Sequence, residues 1–304
     1  MRSVSILVLT KNGAEYIGAL LEGVYSQKQA TANEVILVDS GSADSTLEIA
    51  ARFPARIAHI PANSFHHART RNYAASLASG EILVFLSQDA IPATDTWLAS
   101  LLSNFTDGKV GAVYGRQIPH AGSSIERKHV LETLYGEQRV VKDPALGNHL
   151  GYRFYHFSDV NAALRRSVWQ TTGFPEDLKV FEDLGIAKRI LDAGWKIVYE
   201  PQAPVFHSHE HSTFGLFRRY FDIGYTLKYL QIWNAKSVGS SVIRDGTKML
   251  RKTFRRSSYH RRDSISGTIG QDIAKSLGLF LGLKQQYLPL MLKKHLTAHG
   301  VYSK

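Results

Sequence analysis

The chain has 304 residues, of which 44% are hydrophobic and 21% charged, with no cysteine and a formal net charge of +11. That length holds one large domain with an appendage or two modest domains, and the composition is that of a folded globular protein rather than a disordered or fully membrane-embedded one. Without cysteine, disulfides, thiolate nucleophiles and Cys-based zinc or iron–sulfur centres are excluded, which is compatible with a reducing cytoplasm.

Val4–Leu9 is too short for a signal peptide, lacks a small-residue cleavage site and reads as a strand. Val35–Val38, Arg56–Ile60, Ile82–Leu86 and Val110–Tyr114 read as further strands, being short and rich in Val, Ile and Leu. Between them Tyr16, Ile17, Leu20, Leu21 and Val24 fall at helical spacing, and Ala68–Ala78 and Trp97–Phe105 repeat the habit. Strand and helix in alternation predict an α/β fold with a doubly wound, mostly parallel sheet.

From about residue 115 to Phe157 polar and aromatic residues interleave, and loops and helices are expected. A helix is expected over Glu182–Ala193, ended by Gly194, and then a strand over Lys196–Tyr199 that closes before Pro201. No apolar stretch approaches the ~20 residues that span a bilayer.

The charge is unevenly placed. Residues 1–206 hold 20 Lys and Arg against 21 Asp and Glu, whereas residues 207–304 hold 17 against 5, and Arg244–Arg262 alone contains 8 basic residues against one Asp. Together with the aromatic residues of Phe214–Trp233, this basic tail points to a surface contact, with anionic lipid and nucleic acid both candidates.

In open α/β sheets ligands bind beyond the carboxyl ends of the strands, so the polar residues directly after each apolar run are the candidates for chemistry. Thr10-Lys11-Asn12-Gly13 follows the first strand, Asp39-Ser40-Gly41-Ser42-Ala43-Asp44-Ser45-Thr46 the second, and Ser87-Gln88-Asp89-Ala90 the fourth. Asp44 and Ser45 read as a helix cap. Asp39 ends its strand ahead of that cap, where a carboxylate can accept hydrogen bonds from a base or ribose edge. Asp89 ends a buried strand and either caps the helix that begins near Trp97 or holds a Mg2+ or Mn2+ ion against phosphate oxygens.

Phe65-His66-His67-Ala68-Arg69-Thr70-Arg71-Asn72 combines cationic side chains with a helix start, which attracts phosphate or else forms a solvated basic face. Glu182-Asp183 opens a helix and complements its dipole or supplies a base. Three histidines as close as His207, His209 and His211 do not easily reach one ion, so at most one ligand is expected there. G-x-G-x-x-G, G-x-x-x-x-G-K-[ST] and H-E-x-x-H are all absent from the sequence.

Taken together, Thr10-Lys11-Asn12, Asp39-Ser40-Gly41-Ser42 with Asp44 and Thr46, Phe65 with His67 and Thr70-Arg71-Asn72, Ser87-Gln88-Asp89-Ala90 with Pro92, and Phe181-Glu182-Asp183 followed by Arg189 and Ala193-Gly194-Trp195 resemble family 2 glycosyltransferases of the GT-A fold, in particular the bacterial rhamnosyltransferase branch. The resemblance covers about residues 3–211. It implies a nucleotide-sugar half over 1–115 and an acceptor half over 116–211, whereas residues 212–304 are expected from composition alone to form a mostly helical, basic region.

The resemblance further implies that Asp39 recognises the base, that Thr10, Asn12, Arg71 and Gln88 contact the donor, and that Asp89 binds Mg2+ or Mn2+ as a degenerate D-x-D residue with His207 or His209 completing the site. Asp183 is implied as the general base of an inverting transfer. The Ser-Gln-Asp-Ala form is similar to that of enzymes using dTDP-rhamnose. A glycan or lipid-linked acceptor, in cell-surface polysaccharide synthesis at the cytoplasmic face of an anionic membrane, would follow, with no nucleic-acid partner. Ala68 and Arg69 depart from the small residues usual in that branch, and Arg69 adds a cation there.

Two other classes share parts of the pattern. A nucleotidyltransferase also places carboxylates after α/β strands, but commonly carries a glycine-rich basic loop after the first strand, where only Lys11 and Gly13 stand here. A nucleic-acid-binding module would use the basic tail, although no recognised binding motif is present.

Overall fold

The computed structural model describes residues 2–148, 150–232 and 265–302. These form two compact units, one of residues 1–177 with 182–209 and the other of residues 178–181 with 210–304. The basic cluster between Arg244 and Arg262 lies outside the described residues.

The first unit is a nine-stranded mixed sheet with strand order β3-β2-β1-β4-β8-β6-β9-β5 and β7 paired to β9. The strands are β1 Val4–Thr10, β2 Glu34–Asp39, β3 Arg56–His59, β4 Ile82–Ser87, β5 Ile91–Pro92, β6 Val110–Ile118, β7 Val140–Lys142, β8 Asn161–Arg165 and β9 Lys196–Phe206. β1, β2, β3 and β4 pair in parallel, as do β6 and β9, while β8 is antiparallel to both β4 and β6 and so joins the two parallel sets. The expected division near residue 115 falls inside β6, so the sheet runs continuously across it.

Alternation along the strands feeds two cores. Leu7, Ile36 and Phe85 point to one face, under the helices α3 His67–Leu77, α6 Arg166–Thr172 and α7 Glu182–Asp192. Ile6, Val8, Leu37 and Val84 point to the other, under α1 Ile17–Tyr25, α2 Thr46–Ala50 and α4 Trp97–Ser103. Burial on both faces explains why β1, β2 and β4 read as unbroken apolar runs.

Two expectations are corrected. The stretch expected as loops and helices contains α5 Ile125–Leu134, but also β7 and the second half of β6. The strand expected to close before Pro201 continues to Phe206. Its ladder with β6 shifts register between Gly115 and Gln117, so Pro201 falls where no ladder donor is required.

In the second unit α8 spans Thr213–Tyr229, α9 Ile265–Leu283 and α10 Leu290–Leu296. The N-cap Ser212 Oγ accepts from the Gly215 N–H at 3.0 Å and starts α8. Among the described residues no helix is long and apolar enough to cross a membrane.

Candidate active site

The carboxyl ends of β1, β2 and β4 surround a cleft of about 320 Å³ lined by Thr10, Lys11, Ser40, Phe65, His67, Arg71, Gln88, Asp89 and Asp159 among others. Its rim is built by side chains that tie neighbouring loops together. Gln88 Oε1 accepts from Thr10 Oγ1 at 2.8 Å and from the Lys11 N–H at 2.9 Å, and its Nε2 donates to the Lys11 carbonyl at 3.2 Å. A Cβ at Gly13 would stand 2.5 Å from Gln88 Oε1, so glycine is needed for this latch to close.

Asn12 adopts a left-handed φ of 48° and bridges to the β2 loop, donating its N–H to Ser42 Oγ at 2.9 Å and accepting from the Ala43 N–H at 2.8 Å. Thr10, Asn12 and Gln88 thus shape the cleft through protein contacts as well as facing it or its rim.

Asp39 is buried at the end of β2 and accepts from the N–H groups of Gly41 at 2.9 Å and Ser42 at 3.1 Å and from Ser42 Oγ at 2.5 Å. Burial alone would raise its pKa, but the bonds from Ser42 and Gly41 outweigh that and hold it below the usual carboxylate range. The carboxylate is therefore ionised and fixed by its own turn. Asp44 accepts from the Thr46 and Ala14 N–H groups, whereas Ser45 makes no side-chain cap bond, so the cap role falls to Asp44.

Arg71 lines the cleft, and its Nη1 donates to Glu182 Oε1 at 2.7 Å and Nη2 to Asp159 Oδ1 at 3.0 Å, with Nε 2.8 Å from Asp159 Oδ2. A guanidinium held by two buried carboxylates braces α3, α7 and the segment before β8 while it lines the cleft. Burial pushes Asp159 well above the ordinary carboxylate range against the pull of Arg71, with Glu182 and Asp183 adding to the rise. Asp183 follows Glu182 at the start of α7, half-buried, with Oδ1 accepting from the Leu184 N–H at 2.7 Å.

Asp89, His207 and His209 converge. One carboxylate oxygen and one nitrogen from each ring lie within 4.8 Å of one another. Asp89 Oδ2 is 3.0 Å from His209 Nε2 and 3.6 Å from His207 Nε2. Two histidines, two residues apart just past the end of β9, come within reach of Asp89, where at most one ligand was expected. Asp89 sits here rather than capping α4.

Gln117 sets the orientation of His207. Its Nε2 donates to Tyr135 OH at 2.8 Å and Ser158 Oγ at 2.9 Å, so Oε1 is the acceptor for His207 Nδ1 at 2.9 Å. Burial lowers the His207 pKa to about 4 despite the nearby Asp89. The ring is then neutral near pH 7, with its Nε2 lone pair turned toward a carboxylate oxygen. Two electron-rich atoms in that position can share a cation, and the bond at the far ring nitrogen is the kind of support a metal-binding imidazole uses.

Gln117 and Asp159 were not among the residues singled out in the sequence. Gln117 lies beyond the predicted end of β6, and Asp159 precedes β8, a strand that periodicity does not show.

A family model described as "Glycosyl transferase family 2" matches residues 5–173, more than half of the chain. The chain belongs to glycosyl transferase family 2. This family 2 glycosyltransferase is 33% identical to the O-antigen chain rhamnosyltransferase WbaN of Salmonella anatum, over 91% of this chain and 88% of that one. It is 30% identical to the O-antigen chain rhamnosyltransferase RfbN of Salmonella typhimurium, over 98% and 95%. The fold is shared with the mannosyltransferase PcManGT of Pyrobaculum calidifontis, solved with GDP-Man and Mn2+, at a TM-score of 0.60 and 18% identity over 92% of this chain and 87% of that one.

Proposed function

We propose that this family 2 glycosyltransferase is an inverting, metal-assisted rhamnosyltransferase that moves L-rhamnose from dTDP-rhamnose to a glycan or lipid-linked acceptor of a cell-surface polysaccharide, at the cytoplasmic face of a membrane. The observation that carries this reading is the convergence of Asp89, His207 and His209, with Asp89 also lining the cleft at the strand ends. The two Salmonella relatives support rhamnose as the sugar and a glycan as the acceptor.

Asp89, His207 and His209 would hold the divalent cation, and two imidazole donors suit Mn2+ better than Mg2+, which prefers an all-oxygen shell. Such an ion, when bound, supplies positive charge against the departing nucleoside diphosphate. Thr10, Asn12 and Gln88 keep the donor side of the cleft in shape, and Asp39 presents its ionised carboxylate toward the nucleoside. Asp183 takes the proton of the acceptor hydroxyl as that oxygen bonds the anomeric carbon and the bond from that carbon to the diphosphate oxygen breaks. Attack from the face opposite the leaving group inverts the centre.

The test is transfer to a lipid-linked oligosaccharide with Mn2+ and, in turn, dTDP-rhamnose, GDP-mannose and UDP-GlcNAc. Rhamnose should be transferred with inversion, and the other donors should be slower by at least about tenfold. Preference for either of the other donors overturns the rhamnosyl assignment, and undiminished transfer after chelation and dialysis overturns the metal.

A further inference from the structure

The second unit carries a helix whose faces are the reverse of what a water-facing helix needs. α9 packs on α8 through glycines. A Cβ at Gly278 would stand 2.2 Å from the Phe217 carbonyl oxygen, one at Gly282 2.1 Å from that of Phe221, and one at Gly224 of α8 2.4 Å from that of Leu279. Backbone therefore lies against backbone on the inner face. Three large apolar side chains of α9 are on the outer one, Ile273, Leu277 and Phe280, exposed at a spacing of four and three residues, which is one helical stripe. Past the end of α9, Tyr287 in the short 3-10 turn Gln285–Tyr287 is 75% exposed, and Leu290 and Met291 of α10 are 58% and 79% exposed.

Exposed apolar residues are ordinary when scattered, but a helical stripe followed by further exposed apolar residues in the adjoining turn and short helix marks a contact surface. The charges around it select the partner. Residues 273–302 contain four lysines and no Asp or Glu. The acid just ahead, Asp272, is buried and bonded to Lys275 Nζ at 3.0 Å. Lys284, Lys293 and Lys294 are left to flank the apolar residues. A second copy of the same surface would oppose lysine to lysine in a two-fold contact, whereas an anionic bilayer offers acyl chains to the stripe and phosphates to the lysines. Tyr287 has the apolar ring and polar tip that suit the boundary between those layers.

We infer that the outer face of α9, with residues 284–294, is an interfacial membrane-docking surface that inserts its apolar side chains among the headgroups of anionic lipid without crossing the bilayer. This deepens the peripheral location within the proposed function and places it on residues outside the Arg244–Arg262 cluster.

The test is flotation of the full chain with vesicles of phosphatidylcholine alone or with 30% phosphatidylglycerol, where that proportion is only of the order needed for a measurable surface charge. The parent should bind the anionic vesicles and be weakened by salt. Leu290→Asp/Met291→Asp and Leu277→Asp/Phe280→Asp should each lose at least about tenfold in partitioning, and Lys293→Glu/Lys294→Glu should lose the preference for anionic lipid. Circular dichroism confirms folding, and the lysine variant, which removes no apolar side chain, keeps the test open if an aspartate variant does not fold.

Binding by the parent that all three variants retain overturns the inference, as does failure of the parent to bind. Loss of a parent dimer in the aspartate variants with vesicle binding unchanged also overturns it, in favour of self-association. Calorimetric titration with dTDP-rhamnose reads the donor site separately, so failure of the rhamnosyl reading leaves the vesicle result interpretable.

Discussion

His207 Nδ1 and Gln117 Oε1 are 2.9 Å apart, and this bond turns the opposite ring nitrogen toward Asp89. Gln117 is held in turn by Tyr135 and Ser158, so the orientation of the histidine is set three side chains away from the carboxylate it faces.

Gln117→Leu should therefore weaken Mn2+ binding by roughly 10- to 100-fold, the usual loss when such a support is removed, while the fold persists. Calorimetric titration with Mn2+ in the presence of a nucleoside diphosphate checks this. Unchanged affinity would show that the ring needs no help from Gln117.

Asp89→Ala should abolish metal-dependent donor binding, because it removes the carboxylate oxygen that both imidazoles face. Donor affinity measured with and without Mn2+ should become the same in the variant. A persisting Mn2+ effect of parental size would remove Asp89 from the metal site.

Arg71→Met should act mainly on stability. The substitution leaves Asp159 and Glu182 buried without their shared cation, and breaking a buried pair in this way costs about 3–5 kcal/mol. Denaturant unfolding should show that loss, and in protein that remains folded the donor Kd should change by no more than a few-fold. A large rise in donor Kd with little loss of stability would return Arg71 to the diphosphate.

Arg71 also marks where sequence reading stops. The residues beyond β1, β2 and β4 were legible because the doubly wound sheet puts strand ends at the site whatever the details. The basic run around Arg71 was visible too, but its partners lie 88 and 111 residues away, and no local pattern tells which cation of a helix start turns inward. β8 went unseen because Asn161-Ala162-Ala163-Leu164-Arg165 is short and alanine-rich, and it is strand by virtue of lying between β4 and β6. The paired histidines needed the true length of β9, hidden by two prolines.

Lys142 gives a pH dependence. Its side chain is buried on β7, with Nζ donating to the His156 carbonyl and lying 4.7 Å from the centre of the Tyr114 ring, and burial lowers its pKa from 10.5 to about 7. The unfolded chain then holds a proton between about pH 7 and 10.5 that the folded chain does not. The penalty is full below about pH 7, where the folded state must carry a buried ammonium, and is gone above about pH 10.5, where neither state is protonated. Stability therefore rises with pH through this window. Comparing Lys142→Met with the parent isolates the effect from other titrating groups: the variant should be more stable near pH 7 by a few kcal/mol at most, and the difference should shrink as pH rises toward 10. A difference independent of pH over this range would mean that the buried amine keeps its ordinary pKa.

The last prediction concerns the proton. Asp183→Asn should keep donor and Mn2+ binding but reduce transfer by at least the ~100-fold typical of losing a general base. Asparagine has the size of aspartate and can still accept from the Leu184 N–H as Asp183 does at 2.7 Å, so the local geometry at the start of α7 survives. What it cannot do is take a proton from the acceptor hydroxyl. If Asp183 served only to complement the dipole of α7, the substitution would cost no more than about 1 kcal/mol of stability and leave turnover per folded molecule near the parent's. Donor affinity, Mn2+ affinity and transfer rate measured on one folded preparation separate the two roles, since loss of the base lowers kcat with the binding constants unchanged, whereas loss of a helix-start charge lowers only the melting temperature. Turnover within a few-fold of the parent would remove Asp183 as the base and direct the search to Asp159, which lines the cleft beside Arg71.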